Sequence, residues 1–147
     1  MVERKTVAVI DGQGGGVGKA LVEKLRPTLE KTVEILVLGT NSLATSLMLK
    51  AGADLGATGE NAVVVNVARA DVILGPVGIL AADAMLGELT PRMAEAIGKS
   101  RAEKVLIPIN RCGLHIVGLG GKAFNSLIDE AVELTKNLLA EQLKRGE

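Results

Sequence analysis

Five glycines between residues 12 and 18 give the strongest chemical signal in the chain, in the run Asp11-Gly12-Gln13-Gly14-Gly15-Gly16-Val17-Gly18. A β-branched apolar run precedes them and helical spacing follows, so they lie between a strand and a helix. Glycine lets a ligand approach the backbone closely, and the first turn of the helix presents N–H groups and the positive end of its dipole. The stretch therefore predicts an anion-binding site suited to a phosphate group.

The spacing of the glycines narrows the class of phosphate ligand. The dinucleotide pattern G-x-G-x-x-G, begun at Gly12, would need glycine at Val17, so the strict form fails by one position. The variant G-x-x-x-G-x-G, similar to that of the short-chain dehydrogenases, fits Gly12, Gly16 and Gly18. A Walker A loop is excluded because Ala20 stands where a magnesium-binding Ser or Thr is needed. The cofactor stays open between NAD(P) and another nucleotide.

Known catalytic patterns are incomplete in this chain. Short-chain dehydrogenases use a Tyr and Lys pair, and the sequence contains no tyrosine. Asp11 stands where haloacid-dehalogenase-like proteins keep a nucleophile or magnesium ligand, but Gln13 replaces the second aspartate of their motif. We favour an Asp11 whose carboxylate accepts N–H groups of the glycine loop. Cys112 and His115 are too few to form a zinc site, so the catalytic residues stay unassigned and no metal is expected.

Polar residues follow two other predicted strands. Thr40 and Asn41 end the second strand, in place of the acid that binds ribose in dinucleotide folds. Arg111, at the end of a later strand, could pair with a phosphate or carboxylate, whereas Cys112 is favoured as an inert core residue. The carboxyl ends of parallel strands meet at one edge, which predicts a shared site. The predicted binding residues are Asp11, Gly12, Gln13, Gly14, Gly15, Gly16, Val17, Gly18, Thr40, Asn41, Asn110 and Arg111.

Strands alternate with helices along the chain. This order predicts a three-layer, doubly wound α/β fold with a mostly parallel sheet of about five strands, which is a Rossmann-like architecture. A length of 147 residues suits a single domain over residues 1–147. The predicted strands cover residues 6–10, 33–38, 71–76, 104–110 and a short edge strand at 114–117, and helices are predicted at 60–70 and 79–86, among others.

Composition restricts the partners. The 17 Lys and Arg balance 17 Asp and Glu, and Trp and Tyr are absent, so neither a basic surface nor base stacking favours nucleic acid. No apolar run reaches the roughly 20 residues of a membrane span, and a single cysteine fits a reducing compartment. We expect a cytoplasmic protein that binds a small anionic ligand, with neither nucleic acid nor membrane as a partner.

Self-association is expected from two features. Apolar residues make up 48% of the chain, which is high for so small a domain. The last helix carries an apolar stripe and is longer than a small sheet can cover, which leaves residues 138–143 as an overhang. We therefore expect a homo-oligomer, with a dimer favoured, and treat the overhang as its candidate contact.

Several blocks of sequence together resemble a family of small bacterial proteins catalogued only as a domain of unknown function. The resemblance spans nearly the whole chain, but the family implies no activity. It implies that the blocks, most of which follow predicted strands, are the place to look for a site. The blocks are residues 10–19, 38–41, 56–61, 75–78 and 107–112.

Three functions stay open at this point. The first is a small Rossmann-like protein that binds a nucleotide or another phosphorylated metabolite at the glycine loop. The second is an enzyme that acts on a phosphorylated small molecule through Asp11, Asn110 and Arg111. The third is a structural or interaction protein without a ligand, in which the glycines serve close packing.

Overall fold

The computed structural model describes residues 4–109 and 113–146. Strands and helices alternate through most of this length, and two short 3₁₀ turns, at Val67–Arg69 and Val77–Leu80, add to them. The strands are β1 (Thr6–Asp11), β2 (Glu34–Gly39), β3 (Leu55–Thr58), β4 (Val72–Pro76) and β5 (Glu103–Ile107), and the helices are α1 (Gly16–Thr28), α2 (Ser42–Lys50), α3 (Glu60–Asn66), α4 (Pro91–Lys99) and α5 (Phe124–Arg145).

The five strands form one parallel sheet in the order β3-β2-β1-β4-β5. The chain builds outward from β1 through β2 to β3, and then returns to the other side of β1 to form β4 and β5. The order therefore reverses between β1 and β4. The predicted doubly wound, Rossmann-like α/β fold is confirmed, and its strands are all parallel.

Two apolar cores sandwich the sheet. Residues at alternate positions of the strands point to opposite faces, and β1 is buried on both because every one of its residues is covered. One core joins the sheet to α1, α2 and α5, and the other joins it to α3 and α4. No helix of the described residues is long and apolar enough to cross a bilayer.

The set of five strands differs from the predicted set by one. The predicted edge strand at residues 114–117 is wrong, because these residues form turns and coil, with Val117 almost wholly exposed. The fifth strand is β3, which pairs with β2. It escaped prediction because Leu55–Thr58 contains small residues and is largely exposed, so its stability comes from pairing rather than from an apolar run.

The predicted helix at residues 79–86 is also wrong. A 3₁₀ turn ends at Leu80, and the chain then follows turns to residue 89. Asp83, Met85 and Leu86 have φ values of 65°, 59° and 58°, a left-handed conformation that no right-handed helix contains. The helix predicted at residues 60–70 is present as α3 followed by a 3₁₀ turn.

Helix α5 contacts the rest of the chain closer to its C-terminus than the sequence predicted. Leu139 is buried in the core, and the Gln142 side chain donates from Nε2 to the Asp71 carbonyl at 3.1 Å. Half of the predicted overhang at residues 138–143 thus packs within its own chain, namely Leu138, Leu139 and Gln142, whereas Ala140, Glu141 and Leu143 are exposed. The predicted apolar stripe therefore packs on the chain as far as Leu139, and only part of the predicted overhang is exposed.

Candidate functional site

A cavity of about 940 Å³ lies at the carboxyl edge of the sheet, between the loops that follow β1 and β4. The strand order reverses between these two strands, and ligands of doubly wound folds bind at that reversal. The cavity therefore lies beside the glycine loop, where the sequence predicts a binding site. Its walls are residues 11–17, Pro76 at the end of β4 and Gly78 after it, residues 81–86, Ile109 after β5, and Phe124 at the start of α5.

Asp11 organises the glycine loop from within. One carboxylate oxygen accepts the Gly12 N–H at 2.8 Å, and the other accepts the Gly18 N–H at 2.7 Å. The side chain is buried, so these bonds compensate part of the cost of removing a carboxylate from water. The predicted role of Asp11, as an acceptor for the loop's own N–H groups, is confirmed.

The glycines of the loop divide into two groups according to the space around them. A Cβ at Gly18 would overlap the Met48 side chain, and one at Gly15 would lie 3.0 Å from the Ala44 Cα. At Gly14 and Gly16, a Cβ would meet nothing within 4 Å. The first group is explained by close packing, whereas the second is left open on the cavity wall.

Three N–H groups of the loop find no acceptor within the described part of the chain. They belong to Gly14, Gly16 and Val17, which all line the cavity. Gly16 and Val17 begin α1, where the first N–H groups of a helix have no intrahelical partner. These donors and the helix dipole can bind an anion at the cavity wall.

Glu88 accepts three hydrogen bonds at the glycine loop and the end of β2, and nothing in the sequence indicated this role. Its Oε1 accepts from Thr40 Oγ1 at 2.7 Å, Gln13 N at 2.8 Å and Asn41 Nδ2 at 2.8 Å. These bonds favour the charged form. The hydroxyl of Thr40, then the Gln13 N–H, and finally the Asn41 amide lower the pKa of Glu88 below the ordinary 4.5, against the opposing effect of burial.

Thr40 and Asn41 approach the glycine loop but do not line the cavity. Both side chains bond Glu88, and the Asn41 amide also donates to the Gln13 carbonyl at 3.0 Å. Asn41 additionally caps α2, because its Oδ1 accepts the Ala44 N–H at 2.9 Å. The structure thus joins these two residues to the loop through Glu88, and their contact with a ligand stays a prediction.

Residues 81–89 form an apolar wall that local sequence did not reveal. The segment closes on itself, because the Asp83 N–H bonds the Leu89 carbonyl at 2.8 Å and the Leu89 N–H bonds Ala84 at 3.1 Å. Met85 and Leu86 keep φ values that cost about 1 kcal/mol or more each in non-glycine residues, and Leu86 is 97% exposed beside the cavity. Backbone strain of this kind is concentrated at binding sites.

Asn110, Arg111 and Cys112 lie outside the described residues, so their predicted roles stay predictions. Ile109, the last residue described before them, lines the cavity. His115 lies in the coil after them and lines a smaller cavity of about 350 Å³. Within the ranges 4–109 and 113–146, no group of three or more His, Cys, Asp or Glu side chains is arranged to hold a metal ion.

Comparison with known proteins identifies the family. No curated protein sequence matches the chain. Among solved structures, the chain is similar to the dodecameric FMN-dependent Ubix-like decarboxylase of Escherichia coli O157:H7, with 19% identity, 90% of this chain and 76% of that chain covered, and a TM-score of 0.43. A likeness this distant says nothing about what this chain binds. A model of the domain of unknown function DUF3842 matches residues 6–140, which confirms the resemblance seen in the sequence blocks, and the chain therefore belongs to that family.

Proposed function

We propose that the protein binds a nucleotide or another phosphorylated metabolite in the cavity, with the phosphate at the N–H groups of Gly14, Gly16 and Val17. The observation that carries the proposal is that these three donors line the cavity and have no acceptor within the described residues. Gly14 and Gly16 are exposed and Val17 is half-buried, so these donors are accessible to a ligand that enters the cavity, and donors at a helix N-terminus favour an anion. An anionic oxygen at this position would satisfy all three.

The apolar part of the cavity favours a ligand with a body beyond its phosphate. Hydrogen bonds to a charged group contribute about 1.5–3 kcal/mol each, so three of them would give about 4.5–9 kcal/mol. Association itself costs about 4–15 kcal/mol. Inorganic phosphate alone would therefore bind weakly, and burial against Met85, Ile109 and Phe124 would supply the remaining affinity.

Native mass spectrometry of freshly purified protein tests the proposal first, because it detects a retained ligand by its mass. Thermal shifts across a panel of nucleotides and sugar phosphates test it independently. We expect a retained or added phosphorylated compound to stabilise the fold by mass action. A protein that retains no ligand, and whose melting temperature no member of the panel raises, would contradict the proposal.

Gly16→Ala tests the position of the phosphate. The new methyl group meets nothing within the protein, so folding is preserved, but it stands where a phosphate must approach the backbone closely. We expect the Kd of the bound compound to rise about tenfold or more, or about 1.4 kcal/mol.

Gly98→Ala is the matched control, because Gly98 is also an open helical glycine and lies in α4, which does not line the cavity. It should leave the Kd unchanged. Equal Kd values for the two variants and the unaltered protein would place the phosphate elsewhere.

The homo-oligomer stays a prediction, and we propose it on the apolar side chains that remain exposed. Leu43, Val65, Leu86 and Val117 are each more than half exposed, and association between copies would remove their apolar surface from water. The same native mass spectra report the number of copies. A single-copy mass across the working concentration range would contradict the oligomer without affecting the ligand proposal.

A further inference from the structure

The two sides of the glycine loop are not equally open. On the side of β2, a Cβ at Gly12 would overlap Thr40 Oγ1 and would lie 3.1 Å from Glu88 Oε1. On the side of β4 and β5 lies the cavity, which reaches Ile109 and Phe124. Among the described residues, a ligand whose phosphate sits at the loop therefore has room for a body toward β4 and β5.

A dinucleotide would need the space on the β2 side of the loop. In doubly wound folds a dinucleotide lies across the crevice, and one of its nucleosides extends over β2, where an acidic residue binds its ribose. Here the end of β2 provides Thr40 and Asn41, and both are bonded to Glu88. The carboxylate of Glu88 thus fills the space and uses the polar groups that such a nucleoside would need.

Resting on the proposed function, we infer that Glu88 determines ligand size because it closes the β2 side of the glycine loop. The site then accepts a mononucleotide, whose phosphate is a terminal monoester, and rejects a dinucleotide.

The charge of Glu88 acts in the same direction as its bulk. A dinucleotide would bring a second phosphoryl group to the loop, on the side where the carboxylate bonds the Gln13 N–H. Two adjacent negative charges, here the carboxylate and the second phosphoryl group, repel each other unless a cation lies between them. A monoester avoids this contact, and its three terminal oxygens equal in number the N–H donors of Gly14, Gly16 and Val17.

Matched ligand pairs test the inference. FMN and FAD share one mononucleotide half, as do NMN and NAD⁺, so each pair differs only in the added adenylyl group. Affinities are measured by native mass spectrometry and by calorimetry on the full chain, with AMP and GMP as further mononucleotide probes. We expect at least one mononucleotide to bind, with a Kd about tenfold or more below that of its dinucleotide partner.

Two variants of Glu88 then assign the effect to this side chain. Glu88→Ala opens the β2 side and removes the charge, so the ratio of the two Kd values should fall to within about twofold of unity. Glu88→Gln keeps the bulk and an acceptor oxygen, so it should retain most of the preference. Circular dichroism confirms that each variant is folded before its ratio is used.

Each outcome has a distinct meaning. Equal binding of both members of a pair by the unaltered protein overturns the inference and leaves the proposed function standing. A preference that survives in folded Glu88→Ala overturns the assignment to Glu88, and if that variant does not fold, the ratio for the unaltered protein still decides on ligand size. Binding of none of the probes by a protein that retains another phosphorylated compound overturns the mononucleotide class alone, whereas no ligand of any kind removes the proposed function as well.

Discussion

The glycines of the loop fall into two groups that differ in the space around them and in their hydrogen bonds. On the inner side, Gly12 and Gly18 donate their N–H groups to Asp11 and have no room for a side chain. On the cavity side, Gly14 and Gly16 have open space and no acceptor within the described residues. This glycine-rich loop thus contains packed positions and open positions in alternation, and the open positions are those proposed to contact a ligand.

Gly18→Ala is the substitution with the largest expected effect, and it tests the packing half of this comparison. The new Cβ would overlap the fully buried Met48 and lie 3.1 Å from the Cβ of Asp11. Overpacking costs about 1–3 kcal/mol, and displacement of the Gly18 N–H from Asp11 adds to it. The gain in helix propensity, about 1 kcal/mol, offsets only part. We expect a net loss of about 1–2 kcal/mol in the free energy of unfolding.

Urea unfolding followed by far-ultraviolet circular dichroism measures this loss, since the chain has no Trp for fluorescence. Gly98→Ala again serves as the control, because it makes the same change in an open helical position. It should be neutral or slightly stabilising. If Gly18→Ala proves as stable as Gly98→Ala, the division of the glycines into packed and open positions is wrong.

Most of the fold could be read from the sequence because its central strands are buried on both faces. Such strands appear as continuous apolar runs, which predict β1, β2 and β4, whereas β5 is a partly buried edge strand whose apolar residues at 105–107 were enough to predict it. The start of α4 at Pro91 also has a local cause, because the Thr90 hydroxyl accepts the Met93 N–H at 3.1 Å as a helix cap and proline is favoured at the first helical position. By contrast, β3 lies at an edge and depends on a partner strand rather than on its own residues.

The sequence predicted the loop that borders the cavity, but it did not predict the second wall formed by residues 81–86. The glycine loop is local, and its strand, loop and helix follow one another within residues 6–28. Glu88 meets the loop through Gln13, 75 residues away in the chain, and no local pattern distinguishes it from Asp83 in the same segment. The left-handed residues Met85 and Leu86 have side chains that give no sign of a turn, so the apolar run there predicts a helix.

The pH dependence of stability tests the closed side of the loop, with a smaller expected effect. Thr40, Gln13 and Asn41 lower the pKa of Glu88 in the folded state, so its charged form stabilises the fold above the unfolded pKa. This contribution is lost as the pH falls below the ordinary value of 4.5 toward the lower folded pKa. We expect the advantage of the unaltered protein over Glu88→Gln to be largest at neutral pH and to shrink through that window.

Unfolding free energies at a series of pH values, from neutral to the acid side of this window, measure that advantage. Glu133→Gln on the exposed face of α5 corrects for the loss of one negative charge. An advantage that stays constant, or that grows as the pH falls, would mean that the carboxylate of Glu88 does not bind its three donors as a charged group.

The most direct test of the account follows the loop amides themselves by nuclear magnetic resonance. Uniformly ¹⁵N-labelled protein is titrated with AMP and with FMN, and each backbone amide is observed separately. The account predicts that the resonances of Gly14, Gly16 and Val17 shift most, while those of Gly12 and Gly18, which bond Asp11, shift less. Largest shifts at Gly12 and Gly18, or at amides away from the cavity while the three donors stay unmoved, would contradict it.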